Sequence, residues 1–303
     1  MIGLGRMGGN MVRRLRRAGI EVVGYAPDAE ARKALADETG MIPAPTLVGA
    51  LKKLEDPKIV WVMVPSGKPT EKVIKELERR LSTGDIVVDG GNSNYHDSQR
   101  NFAILAQSGI GFIDAGTSGG VWGLEEGYCL MLGGEKRHIE VIRPVIEALA
   151  PAPDRGWAHV GPPGAGHFTK MIHNGIEYGM MQALAEGFAL LHNKEAMPLD
   201  LAQIAELWRH GSVVRSWLLD LTAAALKEDQ SLRDVAPFVA DSGEGRWTVL
   251  EAVERGIAAP VISMALQMRF DSQDKEGYTN RVLAMMRNAF GGHEVKRAEG
   301  ESG

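Results

Sequence analysis

The chain of 303 residues has one cysteine, no excess of base and no long apolar run. Cys129 alone cannot close an intrachain disulfide, which fits a reducing compartment, so a cytoplasmic protein is expected. The longest apolar run, 59–65 (IVWVMVP), has the length of a strand and falls far short of the roughly 20 residues that span a bilayer. The first residues are rich in glycine, with no charged segment leading into an apolar one, so no signal peptide is read there. A formal net charge of −5 argues against a general nucleic-acid binder. Neither a membrane nor a nucleic acid is an expected partner. An acidic protein that handles anions must gather its positive charge in one cleft.

What is present is ordinary globular composition, 44% hydrophobic and 24% charged, in a chain long enough for about two domains. In the first half, short β-type runs alternate with helical spacing. Residues 20–25, 59–64, 85–89, 111–115 and 128–132 read as strands, and 71–80 places Val73, Ile74, Leu77 and Leu81 on one helical face. Such alternation predicts an α/β fold, a Rossmann-like doubly wound parallel sheet with helices on both faces. After Pro162-Pro163-Gly164 the strand signal stops. Residues 168–191, 199–208 and 247–255 read as helices, and an all-α domain is expected. The expected division is 1–162 for a dinucleotide-binding domain, 163–293 for a helical substrate and dimerisation domain, and 294–303 for a frayed polar tail.

The chain opens M-I-G-L-G-R-M-G, so Gly3, Gly5 and Gly8 stand in G-x-G-x-x-G spacing before a helical stretch at 10–17. The first glycine permits a tight turn, the second lets backbone N–H groups reach a pyrophosphate, and the third allows close packing of helix on strand. The positive end of the following helix then faces the phosphates. Only Met1 and Ile2 precede Gly3, so the first strand is nearly absent; a start codon placed a few residues late is the simplest explanation, and a true truncation the alternative. The stretch Tyr25-Ala26-Pro27-Asp28 contains no arginine for the extra phosphate of NADP. Asp28, about 20 residues past the glycines, can hold the ribose of NAD or can cap the helix beginning at Ala29. NAD is the expected cofactor, with NADP as the alternative.

The segment 164–182 (GAGHFTKMIHNGIEYGMMQ) carries the chemistry. At 100° per residue, Lys170, His173, Asn174, Glu177 and Tyr178 fall within an arc of about 140°. The flanking positions are mostly Met, Ile, Ala or Gly, unlike a solvated helix face. Taken alone, Lys170 and Glu177 read as surface charges. Beside a dinucleotide domain they read as an acid–base pair. A desolvated lysine can take the proton of a secondary alcohol and then polarise the ketone, and a carboxyl of raised pKa can return a proton to carbon. No clustered His/Cys/Asp set with ligand spacing is visible, so no metal is expected.

This segment, G-H-F-x-K-M-x-H-N-G-I-E-Y-G, resembles the active-site helix of the 6-phosphogluconate dehydrogenases. Asp89-Gly90-Gly91-Asn92-Ser93 and Ser118-Gly119-Gly120 resemble two further loops of that family. The likeness runs from Gly3 to His293. It implies Lys170 as general base and Glu177 as general acid, with Asn174 beside them. It places Asn92, Ser118, Gly119, Gly120, His173 and Asn174 around 6-phosphogluconate, and Tyr178 and Arg269 on its phosphate. Arg287 and His293 would come from a neighbouring subunit, so a homodimer or homotetramer is implied. On the cofactor side the implied residues are Gly3, Gly5, Arg6, Met7, Gly8, Asp28, Val64 and Asn92. The single helical unit after Pro162 resembles the short type of the family. One departure stands out: where longer members carry a phosphate-binding Lys and Thr, this chain has Ser242 and Glu244, and Glu244 would repel a phosphate unless Arg246 compensates.

The remaining residues read as structural. Trp122 and Trp217 are expected in a core or interface, His167 as a neighbour that orients the catalytic row, and Cys129 as a small buried hydrophobe. Two other functions fit the same scaffold, a 3-hydroxyacid dehydrogenase that keeps its carboxylate and a catalytically silent dinucleotide sensor.

Overall fold

The computed structural model describes residues 1–292 and 294–296. It divides into a first unit, Met1–Ile176, and a second that begins at Glu177. The first unit contains α1 (Arg6–Arg17), β1 (Val23–Gly24), α2 (Ala29–Thr39), β2 (Ile42–Pro43), α3 (Leu47–Leu51), β3 (Ile59–Val62), α4 (Lys68–Glu78) and β4 (Ile86–Asp89). These are followed by α5 (Tyr95–Gln107), β5 (Gly111–Ser118), α6 (Gly123–Glu126), β6 (Cys129–Gly134), α7 (Lys136–Val141), α8 (Arg143–Leu149) and β7 (Trp157–Gly161). The long α9 (Ala165–His192) carries the chain into the second unit.

Strands β3 to β7 pair in chain order, all parallel except β5 with β6, and β1 pairs with β2 as a separate parallel ribbon. The residues before Gly3 join the two. Ile2 bridges Tyr25 on one side and Val62 on the other, both parallel. Its N–H donates to Trp61 O at 2.8 Å, and its carbonyl accepts from Met63 N at 2.7 Å. Ile2 thus forms bridges rather than a named strand, yet it joins the ribbon to the larger sheet. Chain order reverses on either side of it, which opens a crevice at the carboxyl ends of the strands.

Alternation along the strands supplies a core on each face. Trp61, Val88 and Ile113 pack with Met11 and Leu15 of α1, while Val60, Val62, Val87 and Phe112 pack with Ile74, Leu77 and Leu105 of α4 and α5. Burying a side chain such as the fully buried Phe112 contributes about 1.5–3 kcal/mol.

The second unit is helical. It holds the rest of α9, then α10 (Leu201–Trp208), α11 (Trp217–Glu228), α12 (Glu244–Glu254), α13 (Pro260–Gln273) and α14 (Tyr278–Gly291), with no strand after Gly161 among the described residues. Asp200 and Ser216 start α10 and α11 by accepting from Gln203 N and Leu219 N, and Pro260 opens α13. Phe188, Leu201, Ala205, Leu219, Ala223 and Leu226 form one core, and Tyr178, Ala265 and Leu266 a second.

Several local readings change. The strand expected over 20–25 shortens to two residues, and β2 and β7 were not anticipated. Helices α4 and α12 each begin three residues before the expected start. Cys129 is exposed rather than buried, at the first position of β6 between the buried Tyr128 and Leu130. Trp122 and Trp217 are exposed as well, so neither belongs to a core of this chain.

Candidate active site

The glycine turn is built for an anion. A Cβ on Gly3 would lie 2.3 Å from Met63 O, and one on Gly8 would lie 2.1 Å from Gly3 O, so both positions are closed by backbone. A Cβ on Gly5 would meet nothing within 4 Å. Gly5 therefore faces open space at the start of α1, whose first turn has no acidic residue and no capping side chain. Its free N–H groups and the partial positive charge of the helix fit a pyrophosphate there. Arg6 is exposed beside the turn, Met7 packs on the core beneath it, and Val64 follows β3. Of the two readings of Asp28, the structure realises the cap, with Oδ1 accepting from Glu30 N and Ala31 N at 3.0 Å each.

On α9, Lys170 is buried, and its Nζ donates to Asn174 Oδ1. His173 Nδ1 lies 3.0 Å from the same oxygen. An amide oxygen only accepts, so Nδ1 carries the proton, and in the neutral ring Nε2 is an acceptor. Ser118 Oγ, at the end of β5, stands 3.5 Å from that Nε2. Four of the expected residues thus form one row, from serine through imidazole and amide to amine. Gly119 and Gly120 follow Ser118, with φ of 125° and 51°, and Cys129 pairs with Ser118 across the β5–β6 register. Glu177, half-buried, is seven residues beyond Lys170 on the same helix and so on the same face. Asn92 is exposed just past β4.

In the second unit, Tyr178 OH donates to Asp241 Oδ1 at 3.2 Å and accepts from Ser242 N at 3.1 Å. The Arg269 guanidinium lies 3.6 Å over the Tyr178 ring, and its Nη1 donates to Ala240 O. Arg246 reaches Asp241 Oδ2 through Nη2 at 2.9 Å and Nε at 3.1 Å. Burial opposes charge on Asp241, but the Gly243 N–H, Arg246 and Tyr178 outweigh it and hold the carboxyl below its usual range. Arg246 therefore serves Asp241, while the buried Glu244 accepts from Ser242 Oγ at 3.5 Å. Arg287 is exposed on α14, and His293 lies outside the described residues, as does most of the tail expected over 294–303.

Two buried acids had no role of their own among the expected site residues. Asp89 and Asp114 sit opposite each other on β4 and β5, both fully buried. Asp89 accepts from Ser93 Oγ at 2.8 Å and Gly91 N at 3.2 Å. Burial pushes its carboxyl above the usual range against the pull of His167, and Asp114 adds to the rise. The signal was available, since an acid inside an apolar strand run such as GFIDA is costly unless it is fully hydrogen-bonded. Asp241, too, gave no sign of its place beside Tyr178.

Comparison with known proteins places this geometry. Residues 1–161 match the NAD binding domain of 6-phosphogluconate dehydrogenase, and residues 166–299 match the 6-phosphogluconate dehydrogenase C-terminal domain. The chain is 42% identical over 300 residues to an NAD(+)-dependent, decarboxylating 6-phosphogluconate dehydrogenase of Haloferax volcanii, covering 99% of this chain and 98% of that one. It is 35% identical to an enzyme of the same name from Bacillus subtilis, covering 91% of this chain but 61% of that longer one. The structure of Plasmodium falciparum 6-phosphogluconate dehydrogenase superposes with a TM-score of 0.83 at 26% identity, over 99% of this chain and 66% of that one. A 3-hydroxyisobutyrate dehydrogenase of Mycobacterium tuberculosis shares the fold, with a TM-score of 0.72 at 21% identity over 90% of this chain and 92% of that one. With both of its parts matched, and a relative of its own length at 42% identity, this chain belongs to the 6-phosphogluconate dehydrogenase family.

Proposed function

We propose that the protein oxidises and decarboxylates 6-phosphogluconate to ribulose 5-phosphate and carbon dioxide while reducing NAD. The observation that carries this reading is the row in which Lys170 Nζ and His173 Nδ1 meet on Asn174 Oδ1 with Ser118 behind them. Gly3, Gly5, Arg6, Met7, Gly8 and Val64 hold the dinucleotide, with Asp28 and Asn92 at its margins. Bound there, NAD supplies the acceptor for the hydride that leaves substrate C3. The stretch from Tyr25 to Asp28 offers no cation for a 2′-phosphate, which favours NAD over NADP.

In this reading Lys170 Nζ, in its neutral form, takes the proton of the C3 hydroxyl. The ammonium then donates to the C3 ketone oxygen, which draws the electron pair of the bond between C1 and C2 towards the carbonyl. Carbon dioxide leaves and an enediol remains. Glu177 gives its carboxyl proton to the carbon that lost carbon dioxide, while the neutral Lys170 amine takes back the proton of the C3 hydroxyl as the ketone of the product forms. His173 and Asn174 hold Lys170 and the substrate hydroxyls, aided by Asn92, Ser118, Gly119 and Gly120. Tyr178 and Arg269 take the phosphate, and Arg287 and His293 join them from a second subunit.

Residues 1–162 then serve the dinucleotide and 163–293 the sugar acid and the subunit contact. A homodimer, alone or doubled into a tetramer, is supported by the apolar surface of the second unit. Met181 and Leu221 are exposed there beside a cavity of about 590 Å³ walled by α9 and α11, and Leu207, Val253 and Met264 are exposed elsewhere on it. No helix among the described residues is long and apolar enough to cross a membrane, and the lone exposed thiol of Cys129 fits a cytoplasmic setting. The test is a turnover assay of the purified protein with 6-phosphogluconate or 3-hydroxyisobutyrate, each with NAD and with NADP. Turnover with 6-phosphogluconate and a preference for NAD are expected. Turnover confined to 3-hydroxyisobutyrate would overturn the reading.

A further inference from the structure

We propose that Asp114 is the positioning residue of Lys170, the device that fixes the height of α9 against the sheet. The inference rests on the reading of Lys170 as the base. Helix α9 begins after Gly164, which has a φ of 96° and no side chain with which to cap it. The cap comes instead from 50 residues away. Asp114 Oδ1 accepts from Gly164 N at 2.7 Å, and Oδ2 accepts from His167 N at 2.9 Å. Both oxygens are thus spent on the first turn of α9, where free N–H groups and the helix dipole favour an anion.

The same face of β5 then meets the next two turns in order. Two residues after Asp114, Gly116 lies under Lys170. A Cβ at Gly116 would stand 2.5 Å from Lys170 Cβ and 2.6 Å from Gly166 O. Two residues later, Ser118 reaches His173. Gly166 is pressed on the strands as closely, since a Cβ there would be 2.3 Å from Asp114 O and 2.4 Å from Met131 O. On the other side His167, fully buried, holds Ser98 Oγ of α5 through Nδ1 at 2.6 Å. Alternate residues of one strand therefore set the helix: Asp114 fixes it along its axis, Gly116 fixes its depth, and Ser118 finishes the row. Loss of the anchor at 114 lets the first turn of α9 shift, and Lys170, one turn along, moves with it.

The test is Asp114→Asn, which keeps shape but sets an NH₂ group against one of the two N–H donors. In the whole enzyme, kcat is expected to fall about 10²-fold, as for a displacement of roughly 1 Å at a reacting group. KM for 6-phosphogluconate and Kd for NAD should stay within about threefold. The deuterium isotope effect on kcat with substrate labelled at C3 should rise, because hydride transfer becomes limiting; a smaller folded fraction cannot move that ratio. An unchanged kcat, or a loss matched by the unfolded fraction at constant isotope effect, overturns the proposal. If Asp114→Asn does not fold, Gly116→Ala displaces Lys170 directly and is read by the same criteria. Lys170→Met separates the two claims. If that variant keeps turnover, the base assignment fails. If it is inactive while Asp114→Asn behaves as the parent, only the positioning role fails.

Discussion

Lys170 donates to the side-chain oxygen of Asn174 one helical turn away, and both residues are buried. The amide fixes where the amine points, and His173 Nδ1 arrives at the same oxygen from the side. Asn174→Ala removes an acceptor that both groups share. Its kcat is expected to fall about 10²-fold with a smaller change in KM, since the lost orientation of the base counts for more than the lost contact with a substrate hydroxyl. Steady-state kinetics check this; a rise in KM alone would show that Asn174 only binds substrate.

Glu177 continues the same face two turns on, half-buried. As the donor of a proton to carbon it acts after hydride transfer. Glu177→Gln should lower kcat by about 10²-fold or more while substrate binds as before. Isothermal titration with 6-phosphogluconate is the check, and a marked loss of affinity would reassign Glu177 to binding.

The two roles in the glycine turn, anion approach at Gly5 and close packing at Gly8, separate by mutation. Gly5 has an ordinary φ of −64° and open space where a Cβ would go. Gly5→Ala should therefore leave Tm near the parent value and weaken NAD binding, because the methyl occupies the approach of the pyrophosphate. Gly8→Ala drives a Cβ to 2.1 Å from Gly3 O and should cost roughly 1–3 kcal/mol of stability. Thermal unfolding and fluorescence titration with NADH test the pair. Equal losses of stability in both would contradict the assignment.

Much of this was legible in the sequence because it is local. The spacing of Gly3, Gly5 and Gly8, and the face shared by Lys170, His173, Asn174 and Glu177, follow from periodicities that any single element obeys. The anchors of those elements were not legible, because they act across long separations. Asp114 caps a helix 50 residues away, Ser98 holds His167, and Asp241 meets Tyr178 from a loop. The strand at 20–25 failed for a related reason. Val23 and Gly24 pair with Ile42 and Pro43, while Tyr25 meets Ile2 in an isolated bridge, so β1 keeps two residues.

Asp89 gives a pH signature. Burial, then the carboxylate of Asp114, hold its carboxyl above the unfolded value of about 3.9, although His167 and two hydrogen bonds pull it down. The folded state therefore binds more protons than the unfolded state from about pH 3.9 up to the raised value, and stability contributed at low pH is lost as pH rises through that window. Asp89→Asn should raise Tm relative to the parent at pH 7, and the gain should vanish near pH 4. Melting curves at both values decide; a lower Tm at pH 7 would mean the carboxylate is stabilising.

The most direct measurement is of gas and reduced nucleotide together, in one vessel holding the protein, 6-phosphogluconate and NAD. Equal amounts of carbon dioxide and NADH are expected, with both lost in Lys170→Ala. NADH formed without carbon dioxide, or turnover that survives Lys170→Ala, would contradict the account.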